Sequence, residues 1–488
     1  MRNWLRKQLI KLIVGSYDAT KYSPRRTQFH TSCVDAHIDM NSATRSDLVA
    51  KVRELERNNG IIQKCADLSE QFVAGAGGMP VIASSSDEEW NKNAQAWWDK
   101  WCMMCDIASL QSFGTIQQML ARIAEIDGEA FILKTYGQSG MPRIQILEGH
   151  RIQTPPEMHK REGLVPGIID GVEVNDVGRP VGYYFRQGDG KTATYRRFDA
   201  ATVIHYFEPS RPGQYRGLTP WHAVINDIID LDDLQKLEMD VAKEAATIAN
   251  VLMTESGEMD IDGLRRQLGT VSGVTSSGAS TTETRAQYVK DAIGGRSIAL
   301  RQGEKIEQFR SDRPSVTTQE YWDYLVSKIL AGRGISKLLA FPYGKGQGTQ
   351  IRAELEIAAG FFRCRSMVLA DVIRQVWIYV IGTARFKDAK LMLHPEDWEN
   401  VTILPPRAPN VDVGYNSSAD IAEWKAGLKT MRDLCLPRGL DWREVIKQKA
   451  IEAKEISRIA ADFGVDPILI SNPSEATPSP QPNTDLIT

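Results

Sequence analysis

Nearly all of the strand-like stretches in this chain fall in one block, and that grouping constrains the fold more than any other feature. Residues 130–136, 143–147, 167–174, 181–186 and 203–207 read as strands, with Gly137, Gly140, Gly149, Asn175-Asp176 and Gly178 as turn signals between them. Helical patterns lie on both sides of the block. Regular strand–helix alternation would have built a doubly wound sheet; strands gathered together predict an α+β fold instead.

The flanking helices follow from apolar periodicity. Leu48, Val52, Leu55, Ile61, Ile62, Ala66 and Phe72 predict a helix over residues 46–73, with a break invited at Asn59-Gly60. A second starts at Ser86, where Ser86 and Glu89 have capping-box spacing, and carries a core stripe of Trp90, Trp97, Trp98 and Trp101. A third covers residues 113–126. The longest follows Pro220, with Val224, Ile228, Leu231, Leu234, Leu237, Val241, Ala245, Ile248 and Leu252 stepping by three or four. Residues 270–284 are almost all Ser, Thr, Gly and Ala and predict a mobile loop. Beyond them, a β-like run at 296–306 leads into a helix ending near Gly332. A long helix capped by Thr349 runs to about Ile381, with Gly360 as the place to bend. Shorter helices are expected at 418–434 and 442–463, then a disordered tail from Ser471 rich in Pro, Ser and Asn.

Composition narrows the function. Lys and Arg number 59 against 62 Asp and Glu, a net charge of −3 over 488 residues, so the chain does not grip nucleic acid by bulk charge. Cysteines at 33, 65, 102, 105, 364 and 435 are too sparse for a disulfide framework and suit a reducing compartment. The most apolar stretch, 367–384, is interrupted by Asp371 and Arg374, which argues against a membrane span. Residues 1–14 form an amphipathic pattern that suits docking on the protein itself better than a membrane surface.

Enzyme signatures fail one by one. Gly344, Gly346 and Gly348 suggest a phosphate loop, yet the Gly-Lys-Ser/Thr ending is missing, and Gln350 and Ile351 stand where a dinucleotide fingerprint needs glycine. His30, Cys33 and His37, or Cys102 with Cys105, lack the second ligand pair of a structural zinc site. There is no Gly-x-Ser-x-Gly elbow and no His-Glu-x-x-His. No catalytic residue, metal ligand or cofactor site is nominated.

The specific segment is the one that leaves the last strand of the block. In His205-Tyr206-Phe207-Glu208-Pro209-Ser210-Arg211-Pro212-Gly213-Gln214-Tyr215-Arg216-Gly217-Leu218-Thr219-Pro220, Pro212 and Gly213 set a turn, and Arg211 and Arg216 are placed to clamp carboxylates or carbonyls. A structural corner of Arg211, Pro212, Gly213, Gln214, Arg216 and Gly217 follows. This segment resembles the corner of portal proteins from lambda-type tailed bacteriophages. Arg53-Glu54-Leu55-Glu56-Arg57-Asn58-Asn59, Phe72-Val73-Ala74-Gly75-Ala76-Gly77, Asp127-Gly128-Glu129-Ala130-Phe131, Gly171-Val172-Glu173-Val174, Gly178-Arg179-Pro180-Val181-Gly182-Tyr183 and Gly334-Ile335-Ser336-Lys337-Leu338-Leu339 resemble further pieces of that family in the same order.

The resemblance implies a portal fold: an α/β wing, a helical stem, a small β-containing clip, a long kinked wing helix and a helical crown, assembling into a ring. Mapped here, an N-terminal amphipathic segment (1–19) precedes the wing (20–225). The helix leading into the stem covers 226–253, the clip 254–314 and the second stem helix 315–333. A channel loop (334–348) leads to the kinked helix and its return to the wing (349–414), the crown (415–470) and a tail (471–488). The implied function is a virion channel, typically of twelve subunits, for packaging and ejecting double-stranded DNA without sequence specificity. The implied partners are the large terminase subunit, the head-tail connector, and the major capsid and scaffold proteins, with no membrane, and with host cytoplasm as the place of assembly. Phe341, Pro342, Tyr343, Gly344, Lys345, Gly346, Gln347 and Gly348 would be the loop facing DNA, with Lys345 and Gln347 nearest to it. The competing reading is a nucleotide-dependent DNA-processing enzyme built on residues 344–348, and a third is a membrane-lying adaptor held by residues 1–14.

Overall fold

The computed structural model describes residues 34–470, apart from 138, 189–192, 248–249, 254–296, 301–315, 341–347, 410–412, 436–437, 439, 466 and 468–469. The expectations for residues 1–19, 270–284 and 471–488, and for the loop residues Phe341 to Gln347, therefore lie outside the described residues.

The described residues begin with a short helix α1 (Ala36–Asp39) and then α2 (Ser42–Asn58), capped by Asn41, whose Oδ1 accepts from Thr44 N at 2.9 Å. The break at Asn59-Gly60 is a junction of two helices. Asn59 closes α2 and caps α3 (Gly60–Ser69), accepting from Ile61 N at 2.9 Å and Ile62 N at 3.3 Å. A π-helical turn, Glu70–Ala74, prolongs α3. After strand β1 (Val81–Ala83) comes α4 (Glu88–Cys102). Its cap is Asp87, not Ser86: Asp87 Oδ1 takes Glu89 N at 2.9 Å and Trp90 N at 3.0 Å. Ser86 is engaged elsewhere, donating from N and Oγ to Asp397 at 2.9 and 2.8 Å.

The tryptophan stripe of α4 makes core. Trp98 stacks on Trp101 at 5.0 Å between centroids, meets Phe113 edge-on at 5.3 Å, and lies 5.1 Å from Trp377. Such pairs each contribute ~0.5–1.5 kcal/mol beyond the area they bury. Trp101 also donates to Pro142 O at 2.8 Å, so its one polar atom is satisfied. Phe113 opens α5 (Phe113–Ile126), whose Leu120, Ala121 and Ala124 face the same core.

The strand block forms two antiparallel sheets. β2 (Glu129–Tyr136) is the centre of one, between β3 (Pro142–Glu148) and β8 (Val203–Phe207). The other runs in order β4 (Gly167–Ile169), β5 (Val172–Val174), β6 (Pro180–Gln187), β7 (Thr194–Asp199). Residues 167–174, expected as one strand, are thus a tight hairpin turning at Asp170-Gly171. β7 escaped the sequence reading because it is a polar edge strand, Thr-Tyr-Arg-Arg-Phe-Asp, with no apolar alternation. Phe131, Leu133, Ile152, Val172, Tyr183 and Phe185 form a second core between the sheets.

The helix after the corner, α6 (Ile225–Thr247), stops short of Leu252. Asn250–Met253 instead makes β9, paired in parallel with β10 (Ser297–Leu300), so a sheet partner overrides the helical period at Leu252, while Ile248 lies outside the described residues. The β-like run at 296–306 is strand only over Ser297–Leu300 among its described residues. α7 (Val316–Arg333) packs back on α6, with Lys328 Nζ 2.7 Å from Asp227. A single turn, α8 (Lys337–Ala340), precedes the 37-residue α9 (Gly348–Ala384), which starts at Gly348 and leaves Thr349 inside it. By length and composition α9 is the one helix among the described residues that could cross a membrane. Here Leu369, Val372, Ile373, Val376, Trp377, Val380 and Ile381 are buried in the main core, which makes it a core helix.

After the short α10 (Ala389–Met392), β11 (Val401–Ile403) returns to pair with β1. The last region is helical. Residues 418–434 are split into α11 (Val413–Lys425) and α12 (Met431–Cys435) by a turn in which Leu428 N reaches back to Glu423 O at 2.9 Å. Thr430 and Asp433 exchange bonds that start α12. α13 (Trp442–Phe463) matches its sequence pattern and is capped by Asp441.

Candidate functional site

The corner is a turn fixed from both ends. Gln214 N reaches Arg211 O at 3.3 Å, with Pro212 and Gly213 between and Gly213 at φ +75°, the geometry that a type II turn asks of its third residue. The buried Gln214 side chain staples it. Its Oε1 accepts from Ser210 N and Oγ at 2.8 and 3.1 Å, and its Nε2 donates to Arg216 O at 2.9 Å. Arg211 stays half-exposed and holds α1, donating to Asp39 at 2.7 Å and to Val34 O at 2.8 Å. Gly217 lies directly on β2: a Cβ there would sit 2.3 Å from Gly128 O and 2.5 Å from Glu129 Cβ.

Arg216 points into the protein, 4 % exposed, and meets a carboxylate at the first residue of β2. Its Nε lies 3.1 and 3.0 Å from the two oxygens of Glu129, and one terminal nitrogen 2.5 Å from Oε1. The remaining hydrogens go to the carbonyls of Gly149 (2.7 Å), Ile152 (3.1 Å) and Asp170. Arg45 of α2 completes the cluster, 2.6 Å from Asp170 and 3.2 Å from Glu129. Gly217 N donates to Glu129 Oε2 at 2.7 Å. His205 donates from Nε2 to the same oxygen, 3.1 Å away, and its ring is stacked between Phe131 and Phe207 at 4.1 and 4.2 Å.

Two guanidiniums thus face two carboxylates, and the buried cluster balances when His205 is neutral. Burial pushes Glu129 upward, but Arg216, the His205 bond and Arg45 outweigh it and hold the carboxyl well below its usual range. Burial drives His205 downward, with Arg216 and Arg45 adding to the effect against the pull of Glu129.

A second buried cluster surrounds Glu125 on α5. Arg333, the last residue of α7, donates at 2.7 and 2.5 Å, and Arg365 from the middle of α9 bonds to Oε2. Ser69 adds a hydroxyl at 2.9 Å, and Glu208 takes Arg365 Nε at 3.1 Å. Burial raises Glu125, and the two arginines more than reverse it. One carboxylate therefore fixes the helix before residues 341–347 and the helix after them. Ser336 Oγ to Glu354 at 2.8 Å makes a further tie across the same gap. Of the residues singled out as the channel loop, only Gly348 is described, as the first residue of α9.

The sequence singles out Arg211 and Arg216 but does not join Glu125, Glu129, Arg45, Asp170, His205, Arg333 or Arg365 into a network. The available signal was a carboxylate set among apolar neighbours in both Ala124-Glu125-Ile126 and Gly128-Glu129-Ala130. No group of three or more His, Cys, Asp or Glu among the described residues could hold a metal ion. Burial pushes the Cys105 thiol up to about 12 and raises Cys102 as well, which leaves both as unreactive thiols.

Residues 23–340 match the sequence model of the phage portal protein, lambda family. The chain belongs to that family. The portal protein B of Escherichia phage lambda is 22 % identical over 453 residues, covering 83 % of each chain. The portal protein of Escherichia phage N15 is 23 % identical over 461 residues, again 83 % of each. A probable portal protein of the Halomonas phage phiHAP-1 is 21 % identical over 435 residues, 84 % of this chain and 80 % of that one. Among solved structures, a chain from the virion of a native gene transfer agent particle is similar with a TM-score of 0.44 and 13 % identity, covering 81 % of this chain and 94 % of that one. As a lambda-family portal protein the chain is a structural component of the DNA-packaging channel and not an enzyme. Its place is in the virion, and nothing favours the nucleotide-dependent alternative.

Proposed function

We propose that copies of this chain close into a ring, typically of twelve, at one capsid vertex, and that double-stranded DNA passes through it during packaging and ejection. The observation that carries the reading is the family match over residues 23–340, which takes in the corner, the Glu129 cluster, the Glu125 cluster apart from Arg365, and the approach to the channel loop. The net charge of −3 supports a conduit: a strong cationic grip on phosphates would hold DNA still, whereas a channel should touch it sparsely. In this reading residues 341–348 face the channel. One Lys345 per subunit then makes a cationic collar, with Gln347 beside it.

The proposed partners are the large terminase subunit during packaging and the head-tail connector afterwards, both at the clip (254–314), with scaffold and major capsid protein at the wing (20–225). Assembly takes place in host cytoplasm, where the terminase supplies the energy. The stem helices are α6 and α7, and the crown is α11 to α13. Electron microscopy of the purified chain viewed down the particle axis tests the ring. Closed rings of about a dozen subunits, with a channel of ~20 Å or more for duplex DNA, are expected. Monomers or dimers that persist at high concentration would overturn it. Lys345→Glu should then impair packaging while leaving rings intact; unchanged packaging would remove Lys345 from the channel wall.

A further inference from the structure

Helix α13 is long, amphipathic and nearly uncovered. Of its 22 residues only Ala460 is fully buried, while Ile446 is 46 % and Ile451 62 % exposed. Its first turns do not sit on packed core but border a cleft of about 540 Å³, lined on one side by Ile82, Thr402 and Leu404 and on the other by Trp442 and Ile446. A helix held so slightly by its own chain needs another surface to fix it, since isolated helices are marginal in water.

The polar face of α13 is divided by sign. Arg443, Lys447, Lys454 and Arg458 fall within ~60° of one another at 3.6 residues per turn. Glu444, Glu452, Glu455 and Asp462 fall within ~80° on the neighbouring side, and Ile451 stands between the two flanks. All eight charged side chains are exposed. Some meet within the helix, as Lys447 does Glu444 at 2.9 Å and Arg458 does Asp462 at 3.2 Å, but exposed pairs of that kind are weak and leave the flanks free to act outward.

We propose that α13 docks on α13 of the neighbouring copy, the basic flank of one against the acidic flank of the next, with Ile451 standing between the two contacts each helix makes. Two different faces of the same helix then meet, the heterologous contact that closes a cyclic ring. The charge complementarity selects a second copy of this chain over a uniformly charged partner such as DNA. This inference rests on the ring reading and adds the surface that sets the crown.

The test uses two full-length variants. One reverses the basic flank (Lys447→Glu, Lys454→Glu, Arg458→Glu) and the other the acidic flank (Glu444→Lys, Glu452→Lys, Glu455→Lys). Each alone should give rings with ordered crowns about tenfold less often than the unaltered chain, because three opposed pairs per contact become like-charged. Mixing the two should restore ordered crowns in alternating rings. Repulsion within a helix cannot be relieved by mixing, so rescue in trans isolates the contact between copies. Unaltered chain that forms rings while the mixture does no better than its parts would overturn the proposal and leave the ring standing. So would crowns that order only when DNA or a head-tail protein is added. Unaltered chain that never forms rings would overturn the ring reading itself.

Discussion

Replacing Arg216 with Met keeps most of the side-chain volume and removes the charge from the centre of the corner. Glu129 would keep Arg45 at 3.2 Å, His205 at 3.1 Å and Gly217 N at 2.7 Å, but the cluster would carry one carboxylate too many. Breaking a buried ion pair from one side costs about 3–5 kcal/mol. The carbonyls of Gly149, Ile152 and Asp170 also lose a donor, adding about 1 kcal/mol where water does not reach them. Arg216→Met is therefore expected to destabilise the fold by about 4–6 kcal/mol. Urea denaturation followed by tryptophan emission measures it, since Trp98, Trp101, Trp221 and Trp377 are buried in the main core and become exposed on unfolding. Glu129→Gln in the same background should recover about 2 kcal/mol relative to the sum of the single changes, because the uncompensated charge disappears with it. Removing Arg216 also removes a cation that holds His205 down, so His205 should take up a proton more readily and the loss should be smaller at about pH 5.5 than at about pH 8. A loss under about 1 kcal/mol, or strict additivity of the two changes, would refute the reasoning.

Three further outcomes follow from the same geometry. Gly217→Ala should cost more than about 2 kcal/mol because its Cβ would overlap Gly128 O, whereas Gly213→Ala, strained at φ +75° but in open space, should cost about 1 kcal/mol; paired urea melts compare them. Glu125→Gln should cost about 3–5 kcal/mol and lower the thermal midpoint by roughly 10 °C, read by calorimetry, since Arg333 and Arg365 would lose the anion between them. In the unaltered chain His205 is held neutral, so the unfolded state binds the extra proton and stability should fall as pH drops below about 6.5. His205→Gln should flatten that slope in melts against pH. The lowered Glu125 and Glu129 should add a separate loss only below about pH 4.5.

The sequence revealed what is decided locally. Pro212 and Gly213 dictate a turn whatever surrounds them, and the period of α13 matches the helix end to end. Boundaries were harder where two residues compete for one role. Ser86 and Asp87 are both good caps, and the choice fell to Asp87 because Asp397, distant in sequence, engages Ser86. The run to Leu252 has helical spacing, but β10 offers Asn250–Met253 a backbone partner that no periodicity can show. The charge clusters were the least legible. A carboxylate among apolar residues marks Glu125 and Glu129 as buried, yet nothing local says that Arg365 or Arg216 will meet them.

The distance along the chain between those partners bears on how the protein is made. Arg365 lies 240 residues beyond the Glu125 it binds. At ribosomal rates of ~5–20 residues per second, between roughly 12 and 48 s separate the synthesis of the two. For that interval the Glu125 carboxylate lacks one of its two arginines. The fold around Glu125 is thus unfinished in a nascent chain until the middle of α9 has been made, and a product truncated before Arg365 cannot complete it.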